Sequence, residues 1–263
     1  MPFFNHDRQR LFYRTEGSGP LLLVLPGNTA SSASHAGELA VFSRAYQVAA
    51  LDPLGTGRSD RIACWPATWW EQQAHAGASL VAHLGYDQCI AIGTSGGGVI
   101  ALLLALAYPA QVRAVIADSC VERLPGSVLQ AAVAARRQCA PDQVAFWQHA
   151  HGDDWQTVVD ADSALLLRWA DQELDWFAGR LPELACPVLL TASLRDTALP
   201  NVASQVCHMA EQIPDSRVFF SKAGDHPLMW SRPEAFQAIA WTFLHCVKRT
   251  MGDSATDFDH QHV

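Results

Sequence analysis

A serine at 95, an aspartate at 196 and a histidine at 226 follow one another in the order that acyl chemistry can use. A serine hydroxyl attacks a carbonyl carbon when a base removes its proton. The base works when an acid holds its imidazole in one tautomer. Ser95 stands in Gly93-Thr94-Ser95-Gly96-Gly97, between the apolar runs 88–92 and 99–108. That pattern predicts a strand, a very tight turn and a helix, with the serine projecting from the tip. The glycines are needed because strand and helix pass too close for a Cβ.

His226 lies in Lys222-Ala223-Gly224-Asp225-His226-Pro227, directly after the predicted strand 217–221. Of the eleven histidines it alone falls in a loop after a C-terminal strand. His208 and His245 sit within predicted helices, His149 and His151 in a helical stretch, and His35, His75 and His83 precede the serine. Asp196 is the first carboxylate after the strand Pro187 to Thr191. Asp118, at the end of the strand that follows the serine's helix, is a rival for the acid; its bland reading is a helix cap. Asp225 is adjacent to His226, so a bond to its own neighbour's Nδ1 would be strained. Negative charge on the attacked oxygen needs two backbone N–H groups. Gly96 offers one from the helix N-terminus. The other is expected from Pro26-Gly27-Asn28-Thr29, with Asn28 the first choice and Thr29 the second, because Pro26 has no N–H.

The elements that must position these residues alternate. Apolar strands are predicted at 21–25, 47–51, 88–92, 112–117, 187–191 and 217–221, preceded by a hairpin around Asn5-His6-Asp7. Helices are predicted at 34–42, 68–84, 97–108, 202–212 and 233–247. Continuous apolar strands suit a sheet buried on both faces, and strand–helix alternation implies an α/β fold with a mostly parallel sheet. Its ligand crevice would lie at the carboxyl ends of the strands. The alternation breaks at 121–183, where only helical patterning is found: 127–139, 141–150 with Pro141 at the first position, and 157–169. This is read as a cap over the sheet's carboxyl edge, dividing the chain into a core (1–120 and 184–250), a cap (121–183) and a polar, frayed tail (251–263).

Composition narrows the classes further. The chain has 263 residues, 49% hydrophobic and 17% charged, as in a well-filled globule. No apolar run is long enough to span a membrane. The charges within the first ten residues do not suit a signal peptide, so a cytoplasmic location is expected. Seven scattered cysteines without C-x-x-C spacing argue against a disulfide framework and a zinc site. A net charge of −8 and only two lysines, Lys222 and Lys248, argue against nucleic-acid binding. The expected partner is a small-molecule substrate, with no nucleic acid and no membrane, for a monomer or homodimer.

Together these residues resemble the α/β-hydrolase superfamily. Asp52-Pro53-Leu54-Gly55-Thr56-Gly57-Arg58-Ser59 adds to the likeness, since it is similar to the family's D-x-x-G-x-G-x-S loop. The resemblance covers residues 3 to 248. It implies an eight-stranded, mainly parallel sheet flanked by helices, with a helical cap inserted after the sixth strand, before the acid-bearing strand. Two departures stand out. Many relatives begin the oxyanion loop with His-Gly where this chain has Pro26-Gly27, and the nucleophile is Ser rather than Asp, which disfavours alkyl-enzyme chemistry.

By this reading His226 is the base, Asp196 orients it, and no metal or cofactor is required. Trp147, Trp155 and Trp169 of the cap, with Met229 and Trp230 after His226, are the candidates to line an apolar substrate pocket. The cap carries ten acids against five bases. That excess discourages polyanionic substrates and favours a neutral or cationic ester or lactone of modest size. The alternatives are the same triad used for C–C bond hydrolysis, perhydrolysis or acyl transfer, or a hydrolase-fold ligand receptor with little turnover.

Overall fold

The computed structural model describes residues 2–256. Ten strands and nine α-helices follow one another along them. β1 (Phe3–His6), β2 (Gln9–Gly17) and β3 (Leu21–Leu25) lead through α1 (Ala36–Phe42) to β4 (Gln47–Leu51). α2 (Trp69–His83), β5 (Cys89–Thr94), α3 (Gly96–Ala107) and β6 (Val112–Asp118) come next. An excursion follows: β7 (Arg123–Pro125), α4 (Gly126–Arg136), α5 (Pro141–His151), α6 (Trp155–Leu166) and β8 (Glu173–Asp175). The chain then returns through β9 (Val188–Ser193), α7 (Val202–Gln212), β10 (Ser216–Ser221), α8 (Leu228–Ser231) and α9 (Pro233–Thr256).

Eight strands form one sheet in the order β1-β2-β4-β3-β5-β6-β9-β10. β1 and β2 are antiparallel, β2 joins β4 antiparallel, and every later pairing is parallel. Alternate residues of the central strands enter two separate cores. Leu21, Leu23, Leu25, Ala91, Val115 and Leu190 pack towards α2, α3 and α7. Leu22, Val24, Ile90, Ile92, Ile116 and Leu189 pack towards α1 and α9. This period of two, apolar at both phases, is why the strands read as unbroken hydrophobic runs. Each leucine buried this fully contributes about 1.5–3 kcal/mol.

The parallel register brings the carboxyl ends of β3, β5, β6, β9 and β10 to one edge in that spatial order. β6 ends on Asp118, and the loops that leave the other four carry Asn28, Ser95, Asp196 and His226.

Two expectations need correction. The segment 121–183 is not purely helical. β7 and β8 pair antiparallel, Leu124 opposite Leu174, with Arg123 beside Asp175 and Glu173. Strands of three residues, one containing Pro125 and separated by three helices, have no local periodicity to read. At the other end, α9 runs on to Thr256, into the stretch expected as a frayed tail, and the rest of that stretch lies outside the described residues.

Candidate active site

Ser95 occupies the turn between β5 and α3 at φ +55° and ψ −126°. A non-glycine residue with positive φ costs of order 1–3 kcal/mol, so its surroundings must impose it. They do: the Ser95 N–H donates to Asp118 O at 2.8 Å, and its carbonyl accepts from Gly98 and Val99. Two glycines make the turn possible. A Cβ on Gly97 would fall 2.6 Å from Pro26 O and nearer still to Leu25 O. One on Gly27 would meet Thr94 O at 2.9 Å and the Ser95 side chain at 3.2 Å. The 25–27 stretch and the serine turn therefore lie in direct backbone contact.

His226 Nε2 is 3.0 Å from Ser95 Oγ, and His226 Nδ1 is 2.8 Å from Asp196 Oδ2. With a carboxylate at Nδ1, that nitrogen carries the proton and Nε2 is free to accept one from Ser95. The Asp196 side chain is fully buried, and its Oδ1 accepts the N–H groups of Ala198 and Leu199, each at 2.9 Å. Asp225 faces elsewhere. It accepts from the Thr197 N–H and hydroxyl and from the backbone of His226, and these bonds hold its carboxyl below the usual range.

Asp118 is fully buried and is not bonded to the imidazole. It accepts the hydroxyls of Thr94 and Thr191 and the N–H of Met229. Burial pushes its carboxyl up to about 6 against those donors. The structure thus brings Asp196, and not Asp118, to His226.

The backbone N–H groups of Asn28 and Gly96 meet no acceptor among the described residues. Asn28 N lies 3.3 Å from where a Gly96 Cβ would stand, and Asn28 Oδ1 nearer still, so the two residues are in contact beside Ser95. Thr29 takes φ +57°, with its carbonyl bonded by His151 Nε2 at 2.9 Å and its hydroxyl by Trp147 Nε1 at 3.2 Å. Burial lowers the His151 pKa to about 4, so the ring is neutral. Its Nδ1 accepts from Gly57 N at 2.9 Å, which leaves the proton on Nε2 for Thr29 O. Asp52 completes the support: Oδ1 accepts from Ser32 and Oδ2 from Arg58, each at 2.7 Å.

A cavity of about 690 Å³ opens over Ser95 and His226. Its walls are mostly apolar, including Val99, Leu124, Leu129, Phe146, Trp176 and Trp230. Among the described residues no carboxylate lines it, and Arg136 is the one permanently charged side chain. The excess acids of 121–183 are thus absent from the cavity lining, where the aromatic rings of Phe146, Trp147, Trp176 and Trp230 stand instead.

Trp147 and Trp230 reach the cavity wall, but three expected pocket residues do not. Trp155 stacks on Trp147 from outside, with ring centroids 5.3 Å apart. Trp169 packs edge-on against Trp70. Met229 is buried in the core beneath α9. The cap helices are aromatic on more than one face, so composition could not say which ring turns inward. Phe146 and Trp176, cap aromatics outside the five chosen candidates, are also in the cavity wall.

Comparison with known proteins agrees with the topology. A family model described as alpha/beta hydrolase fold matches residues 20–139, the span from β3 past the serine turn to the end of α4. A putative carbamate hydrolase, RutD, of Escherichia coli O139:H28 is 24% identical over 241 residues, covering 84% of this chain and 89% of that protein. The enol-lactonase of Burkholderia xenovorans LB400 superposes with a TM-score of 0.75 at 18% identity, over 93% of this chain and 100% of its own. A thermophilic esterase of Thermogutta terrifontis gives 0.73 at 19% identity, over 94% and 97%.

Proposed function

We propose that this chain, which has the α/β-hydrolase fold, is a serine hydrolase acting on a small to medium, largely apolar carboxylic ester or lactone. The observation that carries the proposal is the unbroken hydrogen-bond chain from Ser95 Oγ through His226 to Asp196, at the floor of an apolar cavity.

In this reading His226 Nε2 takes the Ser95 proton as Oγ bonds to the carbonyl carbon. Asp196 holds the Nδ1–H tautomer and stabilises the imidazolium. The carbonyl oxygen gains negative charge between the N–H groups of Asn28 and Gly96, where fixed dipoles need no reorganisation. Imidazolium then protonates the leaving alcohol, and an acyl group remains on Ser95. Water gives a proton to His226 as its oxygen bonds to the acyl carbon; the carbon–Oγ bond then breaks, the acid leaves and the imidazolium returns its proton to Ser95 Oγ. The apolar, aromatic wall favours largely apolar acyl groups.

A second reading has one observation in its favour: the curated relative is called a putative carbamate hydrolase, and a carbamate carbonyl could pass through the same steps.

The test is steady-state turnover of p-nitrophenyl esters of increasing acyl length, beside an apolar aryl carbamate, in wild type and Ser95→Ala. Multiple turnovers of short esters, abolished in Ser95→Ala, support the ester reading. Turnover confined to the carbamate moves the assignment to the second. No turnover, or one burst that stalls, removes the hydrolase reading.

A further inference from the structure

Hydrogen bonds tie the stretch from Asn28 to Ser31 and the neighbouring Gly57 turn to the excursion 121–183, five of them at Asn28, Thr29, Ser31 and Gly57. Four come from α5: Trp147 to Thr29 Oγ1, His151 to Thr29 O, Gly57 N to His151, and Ser31 Oγ to Ala150 O at 2.8 Å. The fifth comes from α6. Asp162 Oδ1 accepts from Asn28 Nδ2 at 2.6 Å, between residues 134 apart in sequence.

We propose that Asp162 is a positioning residue for the oxyanion hole, acting through the side chain of Asn28; this rests on the reading of Asn28 N–H as an oxyanion donor. Asp162 is fully buried, and its other oxygen pairs with Arg136 of α4. The Asn28 amide is gripped at its second end too, since its Oδ1 accepts Trp70 Nε1 from α2 at 3.2 Å. An amide held at both ends cannot roll about its side-chain bonds, so the backbone N–H of the same residue keeps one direction. Donor direction matters because a misplacement of about 1 Å can cost about 100-fold in rate.

Arg136 answers an electrostatic objection. A lone carboxylate one residue away from the oxyanion site would oppose the charge that develops there. Paired with the guanidinium, Asp162 supplies the acceptor without the net charge. The arrangement makes the excursion part of the catalytic geometry as well as a wall of the cavity.

The experiment measures kcat and KM separately for Asn28→Ala, Asp162→Ala and their double mutant, together with the affinity of an apolar trifluoromethyl ketone that forms a tetrahedral adduct. Asn28→Ala keeps the backbone N–H and removes only the grip. The expected result for each single variant is a kcat loss of about 10- to 100-fold, with KM nearly unchanged and a matching loss of ketone affinity. The double mutant should fall little below either single one, because both remove the same link. An unpaired Arg136 could unfold Asp162→Ala. The paired change Asp162→Leu with Arg136→Leu removes both charges, an exchange that proteins commonly tolerate, and should still lower kcat.

Effects on KM alone, additive effects, or no loss in the Leu–Leu variant would overturn the positioning role while leaving Ser95-dependent turnover intact. If wild type neither turns over nor binds the ketone, the serine hydrolase reading fails and this inference falls with it.

Discussion

Met229 donates its backbone N–H to Asp118 Oδ2 at 3.0 Å, three residues past His226. With Ser119 Oγ accepting from Leu228 N at 2.9 Å, the end of β6 holds the loop that carries the imidazole. Asp118 is thereby a scaffold for the histidine's loop, and Asp196 is the group that touches the ring.

The two carboxylates should separate by substitution. Asp196→Asn leaves the volume but offers Nδ1 the wrong partner, and kcat should fall by about 10³- to 10⁴-fold with little change in melting temperature. Asp118→Ala strands the Met229 N–H in a dry site and should cost about 1–3 kcal/mol in stability. Asp118→Asn should be much milder, because its oxygen can serve Met229 while its amide donates to the Thr191 hydroxyl. Equal kcat losses in Asp196→Asn and Asp118→Asn would refute the division of roles.

His151 makes a prediction about pH. Its folded pKa, about 4, lies below the ordinary value of 6.5. Between these values the unfolded chain binds the extra proton, so stability rises with pH across that window and is lost as pH falls through it. The span corresponds to about 3 kcal/mol. Asp118 works the other way, since its raised pKa makes stability fall as pH rises from about 4 to 6. The comparison must therefore be wild type minus His151→Gln, whose amide can accept from Gly57 and donate to Thr29 without titrating. Urea midpoints at pH 4.5 and 6.5 should show a smaller acid loss in the glutamine variant. Parallel losses would mean that His151 is not the titrating group.

Gly97 tests the packing of the serine turn. The Cβ of Gly97→Ala would press on the carbonyls of Leu25 and Pro26, backbone atoms that move only by parting β3 from α3. A loss of about 3 kcal/mol or more is expected, at the upper end of overpacking costs. Thermal unfolding of the purified variant reads it directly, and a wild-type melting temperature would show that the contact yields freely.

The sheet was legible in the sequence because its strands are buried on both faces, and runs such as Leu21–Leu25 and Gln47–Leu51 keep their boundaries in the structure. Ser95, Asp196 and His226 stood out for a related reason: strand-end loops of a parallel sheet converge, so chain order alone places three distant residues together. The links of Asn28 to Asp162 and His151 to Thr29 had no such signature. They join a loop to helices more than a hundred residues away, and each residue type is ordinary in its own segment. Ring orientation in the cap was hidden for the same reason, since Trp147 and Trp155 differ only in which side of their stacked pair faces the cavity.

That difference supplies a test of the cavity itself. Phe146 stands on α5 with its ring 5.7 Å from Trp230, both in the cavity wall. Phe146→Ala removes apolar contact from short acyl chains and opens room for longer ones. The kcat/KM of the shortest esters should fall about 10-fold, as the loss of a small apolar contact does, while the optimum moves to longer chains. Trp155→Phe changes a ring that lies outside the wall, and its chain-length profile should overlay that of wild type. If Trp155→Phe shifts the optimum and Phe146→Ala does not, the substrate occupies a different part of the cap, and the cavity above Ser95 does not select the acyl group.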